Sequence, residues 1–127
     1  MELVYNISIW FYLIAIRISA LFNPKAKLWI EGRKDIFERI ERALKESENI
    51  VWFHCASLGE FEQGKPIIEA YRLKEPTHKI LLTFFSPSGF EIRKDTQLAN
   101  WVFYLPADTK SNATRFISIV KPIKAIF

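Results

Sequence analysis

The chain has 127 residues, a length suited to one domain; half of them are hydrophobic and 25% are charged, which excludes a wholly disordered polypeptide. A single cysteine excludes an internal disulfide framework and a cysteine-rich zinc site. The 18 basic and 14 acidic residues leave a net charge of +4 with no long Lys/Arg run, so an anionic surface or ligand fits and no nucleic-acid partner is expected.

Residues Leu3 to Phe22 read LVYNISIWFYLIAIRISALF. Twenty helical residues reach about 30 Å, the hydrocarbon thickness of a bilayer. Only Asn6, Arg17, Ser8 and Ser19 dilute the run, and the leading Glu2 with no small-residue cleavage site argues against a secretory signal. Tyr5, Trp10 and Tyr12 are amphipathic, and Arg17 can reach a headgroup. Lys25, Lys27, Arg33 and Lys34 follow, and the positive-inside rule then keeps the remaining chain cytoplasmic. Residues 1–22 therefore read as a membrane-anchor helix, with Trp10, Arg17, Lys25, Lys27, Arg33 and Lys34 facing the membrane. A span and an in-plane anchor both fit, and a buried core helix is the alternative.

Asn23-Pro24 breaks that helix. Asp35 with Glu38 resembles a capping box, and Ile36, Phe37, Ile40 and Leu44 recur at helical spacing, so a surface helix is expected over about Ile36 to Lys45. IVWFHCAS, residues 50–57, has the β-branched and aromatic character of a buried strand. Leu58-Gly59 turns the chain into a helix over about Phe61 to Leu73, with Phe61, Ile67, Ile68 and Tyr71 as its apolar face. KILLTFF, residues 79–85, is a second strand, and Ser88 with Glu91 forms a second capping box opening a short helix. Trp101 to Leu105 is a third strand, Ser111 to Val120 a third amphipathic helix, and Ile123 to Phe127 a fourth strand. Strands alternating with helices imply βαβ units and a mostly parallel sheet with right-handed crossovers. Ligands bind such sheets at the carboxyl ends of the strands, here Ser57–Glu60, Ser86–Gly89 and Pro106–Thr109. A sheet left unfinished in an apolar run leads us to expect that residues 23–127 are a truncated domain of a longer protein.

The chemistry concentrates in WFHCASLGEFEQG, residues 52–64. Glu60 follows a strand and a glycine at the start of a helix, whose free N–H groups suit an anion. A carboxylate there can accept a proton from a substrate hydroxyl; alternatively, it only stabilises its own helix. His54 reads as a hydrogen-bonded structural residue and Cys55 as a small buried hydrophobe. No metal-ligand spacing, dinucleotide fingerprint or P-loop is present.

His54-Cys55-Ala56-Ser57-Leu58-Gly59-Glu60 resembles the H-x-x-S-x-G-E motif of the 3-deoxy-D-manno-octulosonic acid (Kdo) transferase family. Gly32-Arg33-Lys34 is similar to its G-R-K, and residues 82–89, LTFFSPSG, to its T-x-x-(S/T)-P-(S/T)-G loop. Tyr104-Leu105-Pro106-Ala107-Asp108 is similar to its Y-L-P-x-D, and Arg115-Phe116 and Lys121-Pro122 follow in order. The resemblance implies the N-terminal, acceptor-side half of a GT-B glycosyltransferase, a Rossmann-like α/β domain preceded by an apolar helix. It implies an inverting transfer of Kdo from CMP-Kdo to a lipid A precursor at the cytoplasmic face of a bacterial inner membrane, without metal or cofactor. Glu60 would be the general base, and Ser57, Gly59, Ser86, Ser88 and Gly89 would bind substrate. The family's E-x-E-x-W motif and its CMP-binding C-terminal domain are not among these residues, so the chain alone is expected to be inactive. The rival expectation is a membrane-anchored, Rossmann-like binding domain without catalysis. An E-x-E-x-W motif and a second α/β domain in the continuing reading frame would separate the two.

Overall fold

A computed structural model describes residues 1–127. Six helices and four strands follow one another, alternating from α3 onward: α1 (Glu2–Ser19), α2 (Pro24–Gly32), α3 (Ile36–Leu44), β1 (Ile50–Cys55), α4 (Leu58–Lys74), β2 (Lys79–Phe84), α5 (Pro87–Arg93), β3 (Trp101–Tyr104), α6 (Lys110–Val120) and β4 (Lys124–Ile126). The strands form one parallel sheet in the order β3-β2-β1-β4. The order is that of a doubly wound sheet, reversing between β1 and β4.

Strand alternation divides the core into two layers. Ile50, Trp52, Leu81 and Tyr104 face α3 and α6, where Ile36, Phe37, Ile40, Leu44, Phe116 and Val120 cover them. Val51, Phe53, Cys55, Ile80, Leu82 and Phe84 face the other way and meet Phe61 and Ile68 of α4. Both faces of the two central strands are covered, which explains why their sequences run apolar without alternation. Each fully buried Leu, Ile or Phe contributes about 1.5–3 kcal/mol by leaving water.

Several boundaries differ from the sequence expectation for identifiable reasons. Asn23-Pro24 does end α1, but it also starts a new helix. The Asn23 side chain caps the Lys25 N–H at 2.9 Å, and Pro24 occupies the first helical position, where its missing N–H is harmless. Asp35 makes no capping bond; it sits in the left-handed region at φ 53°, turning the chain sharply into α3. Leu58 and Gly59 form the first turn of α4 rather than a separate turn, because Ser57 caps the helix earlier than expected. Ile67, expected on the apolar face of α4, is exposed, whereas Phe61 and Ile68 are buried. At α5 the cap is Ser86, not Ser88: Ser86 Oγ accepts the Gly89 N–H at 3.2 Å and Pro87 takes the first helical position.

Candidate functional site at the carboxyl edge of the sheet

The loops after β1, β2 and β3 meet at one edge of the sheet. The Ser86 N–H donates to Ala56 O at 3.0 Å, and the Leu105 N–H donates to Phe84 O at 2.9 Å, so each loop is fastened to its neighbour. Glu60 stands on the first turn of α4. Ser57 Oγ accepts the Glu60 N–H at 3.3 Å, and the Glu60 carboxylate accepts the Ala56 N–H in return. This reciprocal arrangement satisfies two free N–H groups and fixes the direction of the carboxylate. Glu60 and Gly59 are exposed, so the carboxylate is held in place yet open to a ligand. Glu60 and Ser86 share this edge, both tied to Ala56.

Ser86 and Ser88 hydroxyls lie 3.2 Å apart, with Ser88 the more exposed of the two. Gly89 is buried, and its role is a close approach. A Cβ there would press on the Phe84 ring and come within 3.2 Å of the Leu58 amide nitrogen, so only glycine lets the first turns of α4 and α5 lie side by side.

Arg33 takes a position opposite to the one expected. The sequence reading groups it with the membrane-facing cations; the structure turns it inward, half-buried. Its guanidinium donates to Leu105 O at 2.8 Å, Phe85 O at 2.9 Å and Trp29 O at 3.2 Å. It also lies 3.8 Å from the centroid of the Trp29 ring and 4.9 Å from that of Tyr104. Burial lowers its pKa to about 10, with the Tyr104 and Tyr12 hydroxyls opposing that shift; the guanidinium stays charged at neutral pH. Gly32 has a matching reason: a Cβ at this position would collide with the Tyr104 ring. The Gly32-Arg33-Lys34, 82–89 and 104–108 segments therefore interlock through Arg33. Lys25, Lys27, Lys34, Arg17 and Trp10 are exposed.

The edge continues into a cavity of about 430 Å³ between α4 and the carboxyl ends of β1 and β4, lined by Phe53, His54, Glu60, Gln63, Ile67 and Phe127 among others. It sits where the strand order reverses, the place at which open α/β sheets hold ligands. On the α3–α6 side of the sheet, Trp52 Nε1–H donates to Thr83 Oγ1 at 2.8 Å, and the same oxygen lies 2.9 Å from His54 Nδ1. Burial lowers the His54 pKa below the ordinary histidine value of 6.5, with the nearby Glu60 carboxylate opposing that shift. Cys55 points to the α4 layer, where it also lines the cavity, and burial pushes its thiol up to about 11, with Glu60 adding to the shift, so it is inert at neutral pH. The Thr83 bridge and the Gln63 and Phe127 lining are features the sequence reading missed. The one available signal was Thr83 itself, a lone polar residue inside the apolar run KILLTFF.

Residues 34–127 match the family described as 3-deoxy-D-manno-octulosonic-acid transferase (kdotransferase). The chain belongs to this family. It is 32% identical over 83 residues to the 3-deoxy-D-manno-octulosonic acid transferase of Aquifex aeolicus (strain VF5), a match covering 65% of this chain and 23% of that protein. It is 35% identical over 74 residues to the 3-deoxy-D-manno-octulosonic acid transferase of Haemophilus influenzae (strain ATCC 51907 / DSM 11121 / KW20 / Rd), covering 57% of this chain and 17% of that protein. The chain therefore spans less than a quarter of the length of these curated relatives. No solved structure matches it. Of the segments that resemble motifs of the Kdo transferase family, residues 32–34, 54–60, 82–89 and 104–108 gather at one sheet edge, whereas Arg115-Phe116 lies within α6 and Lys121-Pro122 at the amino end of β4.

Proposed function

We propose that residues 23–127 are the acceptor-side domain of an inverting glycosyltransferase that moves Kdo from CMP-Kdo to a lipid A precursor in lipopolysaccharide biosynthesis. Residues 1–22 are its membrane anchor, at the cytoplasmic face of the bacterial inner membrane. The donor nucleotide is held mainly by a second domain of a GT-B pair, which these residues do not include. Family membership supports the Kdo chemistry, and the relatives' greater length supports the missing domain. The single observation that carries the site assignment is Glu60, whose carboxylate is fixed by the Ala56 N–H yet open to solvent on the edge that Ser57, Gly59, Ser86 and Ser88 share.

In this reading Glu60 accepts the proton of an acceptor sugar hydroxyl. The freed oxygen attacks the anomeric carbon of Kdo, the bond from that carbon to the CMP phosphate oxygen breaks, and CMP leaves with the bonding pair. Attack opposite the leaving group inverts the centre. Ser57, Ser86 and Ser88 hydroxyls and the N–H groups around Gly59 hold the acceptor. Gly89 contributes by letting the two helix starts lie together rather than by touching substrate.

Glu60→Gln tests this reading in the full-length protein. The amide keeps an oxygen for the Ala56 N–H, so the melting temperature should barely move. The lost base should lower kcat by about 100-fold or more. Near-normal turnover would overturn the assignment of Glu60.

A further inference from the structure

The N-terminal helix carries two apolar stripes, and only one of them meets the protein. At about 100° per residue, Ile9, Leu13, Ile16 and Ala20 fall on one side of α1. These four are partly covered, as a face turned toward the body should be; Ile14, on the other side, is partly covered as well. Leu3, Ile7, Trp10, Phe11 and Ile18 fall on the opposite side and are exposed, Trp10 at 59%; Leu21, in the turn that follows α1, is exposed at 77%. Asn6 and Arg17 line one border between the stripes, and Ser8 and Ser19 line the other.

The covered side is fastened along its length. Tyr5 Oη donates to the Asp108 carboxylate, in the loop after β3. Glu2 accepts from Lys110 Nζ at 3.1 Å. One helix turn further on, and then another, Tyr12 stacks edge-to-face on the buried Trp29 of α2 with centroids 6.2 Å apart. Tyr5 and Tyr12 are about 10 Å apart along the axis. A helix crossing the bilayer would carry at least one of these tie points, with Asp108 and Lys110, into the hydrocarbon, where charged side chains are costly.

We infer that α1 does not span the membrane: it lies in the plane of one leaflet, held flat against the protein by its inner stripe, with the Leu3–Ile18 stripe and Leu21 inserted among the acyl chains. The inference rests on the membrane association proposed above. The occupant of the open stripe is a bilayer rich in anionic lipid. Arg17, at the border of that stripe, carries exposed positive charge outside every ion pair in the structure, as do Lys25 and Lys34 further along the chain. Because Asp108 belongs to the carboxyl edge of the sheet, the flat helix brings that edge to the lipid surface. A lipid-borne acceptor can then present its headgroup to the edge without leaving the bilayer.

Spin labels measure the geometry directly. Single cysteines at Leu3, Ile7, Phe11, Ile18 and Leu21, in the full-length protein with Cys55→Ala, are labelled and bound to vesicles of phosphatidylethanolamine with phosphatidylglycerol. Ser8→Cys and Ser19→Cys mark the border. The in-plane helix gives all five apolar positions one shallow depth of about 5–10 Å below the headgroups, with the serine positions at headgroup level. A profile that deepens from Leu3 to about 15 Å at Phe11 and returns to the surface by Leu21 would be a span and would overturn the inference, with membrane association intact. Labels that contact no lipid while the protein stays in solution would overturn both readings. So would spin–spin broadening along the stripe in that soluble state, which would identify a second protein copy as the occupant.

Discussion

His54 shows how one side chain couples the candidate site to the stability of the sheet. Its ring shares Thr83 Oγ1 with the Trp52 indole, and burial lowers its pKa below 6.5. A histidine with a depressed folded pKa binds its proton more readily in the unfolded chain. Stability is therefore fully present above about pH 6.5 and declines as pH falls through that value toward the folded pKa, by at most about 1.4 kcal/mol per pH unit. His54→Gln removes this titration while keeping a polar side chain near Thr83. Urea midpoints taken between about pH 7 and pH 5 should fall less steeply in the variant than in the parent. Parallel slopes would show that His54 titrates alike in both states. Arg33 marks where reading residues one at a time stops working. A cation after an apolar helix looks like its neighbours Lys25, Lys27 and Lys34. Its inward turn depends on carbonyl oxygens 52 and 72 residues away, which no local pattern announces. Glu60 was legible because its signals are local: a strand, a glycine and a helix start within a few residues.

Helix starts were the least legible elements, and two of the misreadings share one cause. Ser, Asn and Pro serve equally as breakers and as caps, and which role wins depends on the geometry of the following turn. Asn23-Pro24 looks like a terminator and is also the cap and first residue of α2. Ser86-Pro87-Ser88 offers two caps; Glu91 favours Ser88 in a capping-box pattern, but the short connection from β2 closes the helix on Ser86. The strands were easier because burial on both faces leaves a continuous apolar run with few rival meanings. The corrected cap separates two serines that look equivalent in sequence. Ser86→Ala removes the bond to the Gly89 N–H and should lower stability by about 1 kcal/mol. Ser88→Ala removes no cap and should change stability by less than about 0.5 kcal/mol. If Ser88 holds the acceptor, its loss should raise the acceptor KM and leave the donor KM unchanged. Equal destabilisation by the two substitutions would contradict the Ser86 cap, and an unchanged acceptor KM would remove Ser88 from the binding edge.

At the scale of the molecule, the decisive feature is the carboxyl edge of the sheet, which in the proposed two-domain enzyme would form one wall of a cleft. The sheet order β3-β2-β1-β4 puts the reversal point between β1 and β4, and Glu60 with the 430 Å³ cavity lies there. A base on one wall accelerates transfer only when the donor's anomeric carbon is held within reach of the activated hydroxyl. The motif-like segments of this chain are used up in building the wall: Arg33 bonds to backbone carbonyls, Gly89 packs two helices, and Ser57 and Ser86 cap them. None of these presents a cluster of free cations to the phosphate and carboxylate charge of CMP-Kdo, which is consistent with a donor site on the proposed second domain. The 127-residue chain on its own should therefore unfold cooperatively, as its two-layered core requires, and yet transfer no Kdo. Calorimetry should find CMP binding weaker than about 1 mM, less than about 4 kcal/mol of association free energy. The same titration on a protein extended to the length of its relatives should detect binding, and there Glu60→Gln should leave CMP affinity unchanged while turnover falls. Tight CMP binding by residues 1–127 alone would place the donor site on this wall and overturn the division of labour between the two domains.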